Sequence, residues 1–152
     1  MIEFVERKDN MQKLLLAVDG SKSCSKAVGK VYELADDMDL DVTVLTVLEK
    51  AIPKTYSEEF AREAFSRREG MKEEAKDMVD TCSEGLEKKV SKLKKEVKTG
   101  VPSDVICRTA EEGDYDFVVV ADKGRGAVKR FLMGSTAERV TRYSPISVIV
   151  VK

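Results

Sequence analysis

The sequence predicts an open, five-stranded parallel α/β sheet with helices on both faces. Three observations point to it. Apolar, β-branched runs recur at 13–18, 41–48, 116–121 and 146–151, and the run at 117–120 suits a strand buried on both faces. Stretches with apolar residues spaced by three and four separate these runs, so strand and helix alternate along the chain. The 117–120 run leads into a basic, glycine-bearing segment that closes on Gly134, Ser135, Thr136 and a short helical pattern. That is a strand passing through a loop into a helix start, and in open parallel sheets ligands bind beyond the carboxyl ends of the strands.

Each element has a local justification. Residues 1–10 alternate apolar and charged side chains, lack the apolar core of a signal peptide, and read as an extension packing Ile2, Phe4 and Val5 on an edge. The first strand ends in Asp19-Gly20-Ser21, where Ser21 or Ser23 caps the next helix. In that helix Cys24, Ala27, Val28, Val31, Leu34, Ala35 and Met38 form one stripe facing a sheet. The run at 41–48 completes a βαβ unit. Residues 53–58 form a linker, and 57–89 a charged helix with Phe60, Ala64, Phe65, Met71, Ala75, Met78, Val79, Cys82 and Leu86 as its stripe. Gly70 and Gly85 are the places where that helix bends or breaks.

The segment 93–99 fits a helix continuation or a strand, and Gly100-Val101-Pro102 after it favours a strand. Ser103 is read as the cap of a helix running to about residue 112, with Val105, Ile106 and Ala110 turned inward. Gly113-Asp114 ends it. Glu138 stands four residues before Arg142 in the last helix, a spacing suited to an ion pair. A final apolar strand follows Pro145.

Composition narrows the function. One domain is expected from 152 residues at 42% hydrophobic content, and no apolar run is long enough to cross a bilayer. A net charge of −1 argues against a nucleic-acid partner. Cys24, Cys82 and Cys107 are widely separated, with no Cys-x-x-Cys pair, which reads as three free thiols in a reducing cytoplasm. There is no histidine. The usual general base and the commonest metal ligand are therefore missing, and catalytic residues are not expected.

The loop carries the functional signal. Gly124 and Gly126 lie among Lys123, Arg125, Lys129 and Arg130, ahead of Gly134, Ser135 and Thr136. Glycines permit close backbone approach, and a helix start favours anions. Neither Gly-x4-Gly-Lys-Ser/Thr nor Gly-x-Gly-x-x-Gly is present, so a structural loop and an anion-binding loop stay open on composition alone. The basic cluster tilts toward phosphate, while the Asp122 carboxylate opposes it.

Taken together, these residues resemble the universal stress protein family over nearly the whole chain. The resemblance rests on Ala121-x-x-Gly124-x9-Gly134-Ser135, on Ala17-Val18-Asp19-Gly20-Ser21, on Leu45-Thr46-Val47, on Gly100-Val101-Pro102 and on the closing Pro145-x-x-Val148-x-Val150 strand. It implies a Rossmann-like fold of the adenine nucleotide alpha hydrolase type, a homodimer and, in members carrying the motif, bound ATP. It further implies that Asp19 accepts a hydrogen bond from adenine or ribose, the alternative being a turn cap. Val47 and Val120 would flank the adenine, and Ala121, Gly124, Arg125, Gly134, Ser135 and Thr136 would meet the phosphates. Mg²⁺ or Mn²⁺ would accompany ATP. The departure is Ala121, which stands where the motif has its first glycine and disfavours positive φ.

The reading that follows is a cytoplasmic, ATP-binding stress-response regulator or chaperone-like switch, hydrolysing slowly at most. Its dimer would pair the apolar last strand, 147–151. A dimeric interaction module without nucleotide is the alternative, and a true adenylyl- or phosphoryl-transfer enzyme is the third reading.

Overall fold

The computed structural model describes residues 10–49, 57–124 and 132–152. The expected extension at 1–10 and the linker at 53–58 fall almost wholly outside these residues. One five-stranded sheet forms the frame: β1 (Gln12–Ala17), β2 (Leu40–Leu48), β3 (Lys92–Thr99), β4 (Phe117–Ala121) and β5 (Ser147–Val151), in the order β3-β2-β1-β4-β5 with every pairing parallel. The expected strands are all present, with bounds moved by a residue. The register sets Leu16 between Val44 on β2 and Val119 on β4.

The central strands are apolar on both sides because helices cover both faces. Leu14, Leu16, Val42, Val44 and Val119 join α1 (Lys22–Asp37) and α2 (Glu58–Ser83) in one core. Leu15, Leu45, Val118 and Val120 point the other way, into a second core with α3 (Pro102–Glu112) and α4 (Ser135–Tyr143). The period-two alternation along β1 thus divides a three-leucine run between two layers. In the second core the Tyr115 hydroxyl and the Thr43 hydroxyl share a 2.7 Å hydrogen bond, which satisfies two buried polar groups.

Helix boundaries follow local chemistry, choosing between the two caps read for α1 and correcting the cap of α3 and the extent of the long helix. Ser21 caps α1, its Oγ accepting from the Cys24 N–H at 3.2 Å; Ser23 lies inside the helix. Ser103 is not a cap: α3 begins at Pro102 after Val101, as proline's fixed φ and missing N–H favour, and Ser103 is buried in the first turn. The long helix runs unbroken through Gly70 but ends at Ser83, short of residue 89. Gly85, at φ 80°, then turns the chain so that a single 3₁₀ turn, Leu86–Lys88, drives Leu86 fully into the core. The expected Glu138–Arg142 pair forms at 3.5 Å on α4.

The two edges of the sheet differ. β3 carries Lys92, Lys94, Lys95 and Lys98, with Lys95 reaching Asp80 and Glu87 at 3.0 Å each and Glu96 between Lys94 and Lys98. β5 presents Ser147-Val148-Ile149-Val150-Val151.

Candidate functional site

The strand order reverses between β1 and β4, and the chain leaves these neighbours for opposite faces: β1 to α1, β4 toward α4. A cleft of about 920 Å³ opens above that point. Its floor comes from Ala17, Val18 and Asp19 at the end of β1, from Thr46, Val47 and Leu48 on β2, and from Val120 and Ala121 on β4. This volume suits a ligand of cofactor size.

Asp19 and Gly124 stand against each other. Asp19 Oδ1 accepts from the Ser21 N–H at 2.9 Å, across a turn that Gly20 makes at φ 74°. Its other oxygen, Oδ2, lies 2.9 Å from where a Cβ on Gly124 would stand. Gly134 in turn packs on the backbone beside Gly124. A Cβ there would lie 3.2 Å from the Gly124 nitrogen and 3.3 Å from both Asp122 O and Lys123 Cα. The Gly134 N–H donates to Asp122 O at 2.6 Å. With φ −63° and ψ 151°, Gly134 has a conformation open to any residue, so its glycine serves closeness rather than geometry. The two ends of the nine-residue spacing therefore touch.

Gly134 also precedes α4 without a side-chain cap, and Ser135, Thr136 and Ala137 of the first turn line the cleft. The start of this helix thus brings amide donors and two hydroxyls to one end of the cavity. Lys123 lines the same end. Asp122 is not among the residues that line the cleft; its backbone holds the site, its N–H donating to Val151 O at 2.8 Å and its carbonyl taking the Gly134 N–H.

Ala121 sits without strain. It is the last residue of β4, paired with Val151, and among the described non-glycine residues only Asp114 has positive φ. The expected conformational penalty of alanine at this position does not arise.

Of the residues singled out in the sequence, Asp19, Val47, Val120, Ala121, Gly124, Gly134, Ser135 and Thr136 all line the cleft. Arg125, with Gly126, Lys129 and Arg130, lies outside the described residues. The far wall was not anticipated. Met71, Ala75 and Met78 of α2 form it, facing Leu132 and Met133, with Glu49 and Glu74 also in the lining. The signal was available in length: a helix of 26 residues extends about 39 Å, well beyond strands of five to nine residues. Its excess must rise past the strand ends, over the cleft. Phe60 and Phe65, expected in the stripe, are exposed there at 41% and 67%. Among the described residues no group of three or more His, Cys, Asp or Glu side chains is placed to hold a metal ion.

The model of the universal stress protein family matches residues 10–152. The chain belongs to the universal stress protein family. A universal stress protein of Methanocaldococcus jannaschii is 28% identical over 141 residues, covering 93% of this chain and 82% of that one. The solved structure of the hypothetical protein MJ0577 superposes with a TM-score of 0.80 at 26% identity, covering 93% of this chain and 95% of the other. The family fold is seen again in a universal stress protein from Archaeoglobus fulgidus in complex with dAMP, at a TM-score of 0.61 and 20% identity, covering 93% of this chain and 98% of that one.

Proposed function

We propose that this family member is an adenine-nucleotide-dependent stress regulator that binds ATP in the cleft at the β1–β4 switch point. The observation that carries the reading is the contact of Gly124 with Gly134 at the uncapped start of α4, which gathers amide donors at one end of a cavity of nucleotide size. In this reading Gly124, Ser135 and Thr136 meet the phosphates, Gly134 contributes close approach rather than its N–H, which Asp122 O holds, and Lys123 and Arg125 supply positive charge. Asp19 keeps acceptor capacity beyond its bond to Ser21, and takes a ribose hydroxyl or the adenine edge. Val47, Val120, Met71 and Met78 offer a soft apolar slot for the planar base. The dAMP complex of the Archaeoglobus fulgidus relative supports an adenine nucleotide as the ligand class.

A Mg²⁺ or Mn²⁺ ion would arrive with the nucleotide and take its ligands mainly from phosphate oxygens and water, since the described residues offer no cluster of three donors. Hydrolysis is slow or absent in this reading, because the chain has no histidine. The protein works in the cytoplasm, and among the described residues no helix is long and apolar enough to cross a membrane.

Titration calorimetry with ATP and Mg²⁺ tests the reading. The parent protein is expected to bind at submillimolar ATP, and Ala121→Gly to bind equally or more tightly, since the alanine is unstrained and only its methyl group is removed. No heat from the parent at millimolar ATP, and none from Ala121→Gly, would leave a non-nucleotide interaction module of the same family.

The regulator is also proposed to be a homodimer through β5, because Val148, Ile149 and Val150 lie on an edge strand whose outer side has no partner among the described residues. Sedimentation equilibrium is expected to give a dimer at micromolar protein. A monomer persisting at high micromolar concentration would remove the proposal.

A further inference from the structure

Helix α1 is met at three levels by the carboxyl end of α2 and the turn that follows it, on one face of the sheet. At the carboxyl end of α2, Cys82 packs against the core that contains Cys24, which brings the two thiols close enough to interact. Further along, Gly85 passes Tyr32, a Cβ on the glycine lying 3.7 Å from the ring. Beyond that, Lys89 pairs with Asp36. Both further contacts lie on the carboxyl side of the thiol pair and hold the chain that leaves α2 against α1. The reducing-compartment expectation of three unrelated thiols does not foresee this, since Cys24 and Cys82 are far apart in sequence.

We propose that Cys24 and Cys82 are an oxidation site that closes to an intramolecular disulfide on exposure to hydrogen peroxide, tying α1 to α2 beneath the cleft. Cys24 is the third residue of α1, in the first turn, where the helix dipole favours a thiolate. The Cys82 thiol donating to it lowers its pKa to about 7, with backbone N–H groups at Asp19 and Gly20 adding to the effect against the opposing cost of burial and the nearby Asp19 carboxylate. The same hydrogen bond raises the pKa of Cys82, which stays protonated. Cys24 is 2% exposed, and Cys82 is the more open member of the pair.

The chemistry balances in two steps. The Cys24 thiolate attacks one peroxide oxygen; an S–O bond forms, the O–O bond breaks, and the leaving hydroxide takes a proton to become water. Cys82 sulfur then attacks Cys24 sulfur; the S–S bond forms, the S–O bond breaks, and hydroxide departs with the Cys82 proton as a second water. Two thiols lose two electrons and the peroxide gains them.

The position couples the bond to the cleft. Cys24 follows directly on the Asp19-Gly20-Ser21 turn, whose Ser21 Oγ holds the Cys24 N–H. Cys82 lies one turn below Met78, part of the opposite wall. A covalent tie here fixes the spacing between the turn and that wall.

Mass spectrometry of the full chain after stoichiometric peroxide tests this. The expected result is a loss of two hydrogens, one Cys24–Cys82 crosslinked peptide after digestion, reversal by dithiothreitol, and a melting temperature several degrees higher in the oxidised form. Cys107→Ser should form the crosslink as the parent does. Cys82→Ser, altering a partly exposed position, should form none and should instead accumulate a Cys24 sulfenic acid that dimedone traps. Oxidation falling first on Cys107, disulfides only between chains, or higher oxides on Cys82 without the crosslink would each overturn the proposal. These readouts need no nucleotide, so they stand or fall apart from the ATP reading.

Discussion

Gly134→Val is expected to weaken ATP binding more than tenfold, about 1.4 kcal/mol or more. The reasoning is steric. Even a methyl carbon at this position would sit 3.2 Å from the Gly124 nitrogen and 3.3 Å from two further backbone atoms of residues 122 and 123. Contacts this close leave no room for the two additional carbons of valine, and the neighbours are backbone rather than flexible side chain. The strand end and the start of α4 must separate, which breaks the 2.6 Å Gly134–Asp122 bond and moves Ser135 and Thr136 away from Gly124. The backbone angles of Gly134 suit valine, so the rest of the fold should tolerate the change. Calorimetry should show lost affinity, and thermal unfolding a drop of a few degrees from the one broken hydrogen bond. Undiminished affinity would mean that the phosphates do not bind between these two glycines.

Leu86→Ala is expected to destabilise the protein by about 2–5 kcal/mol. Leu86 is fully buried in the core beneath α1 and α2, although it sits in a three-residue turn flanked by exposed Gly85 and Glu87. It pins the end of a helix whose other half stands clear of the sheet. Little else near it can move inward, because β2 and α1 are held by their own pairing and packing. Urea unfolding should show a lower midpoint at unchanged slope. A loss under about 1 kcal/mol would show that neighbouring side chains refill the space. Gly85→Ala should also destabilise, by about 1–2 kcal/mol, since a side chain at φ 80° is strained.

The same turn marks the limit of what the sequence discloses. β1, β2, β4 and β5 were legible as apolar, β-branched runs, whereas the lysine-rich β3 was placed only by the Gly100-Val101-Pro102 stop after it. Most of the candidate site was legible too, because Asp19, Gly124, Gly134 and Ser135 sit at strand ends and helix starts, where position along the chain already fixes position in space. The end of α2 was not legible. Leu86 falls in phase with the helical stripe, so periodicity carries it into the helix, and only the core decides that it enters by a turn instead. Ser103 misled for a related reason: a good capping residue lost to the proline before it. Ala121 looked like a defect because a motif glycine suggests positive φ, whereas pairing with Val151 keeps this residue extended. The Cys24–Cys82 contact is tertiary, and no local pattern announces it.

The unlike edges of the sheet have a consequence for growth. A strand edge with free backbone groups can add another chain on either side, and if β5 of one molecule met β3 of the next, the addition would repeat without end. Four lysines along β3 oppose that union, because a neighbouring strand would have to cover their ammonium groups and displace the carboxylates that now attend them. In the dimer proposed above the joint would use the β5 edge twice, and such a joint closes on itself. With that joint, the β3 lysines would serve as a chain terminator at the other edge, stopping growth after one addition.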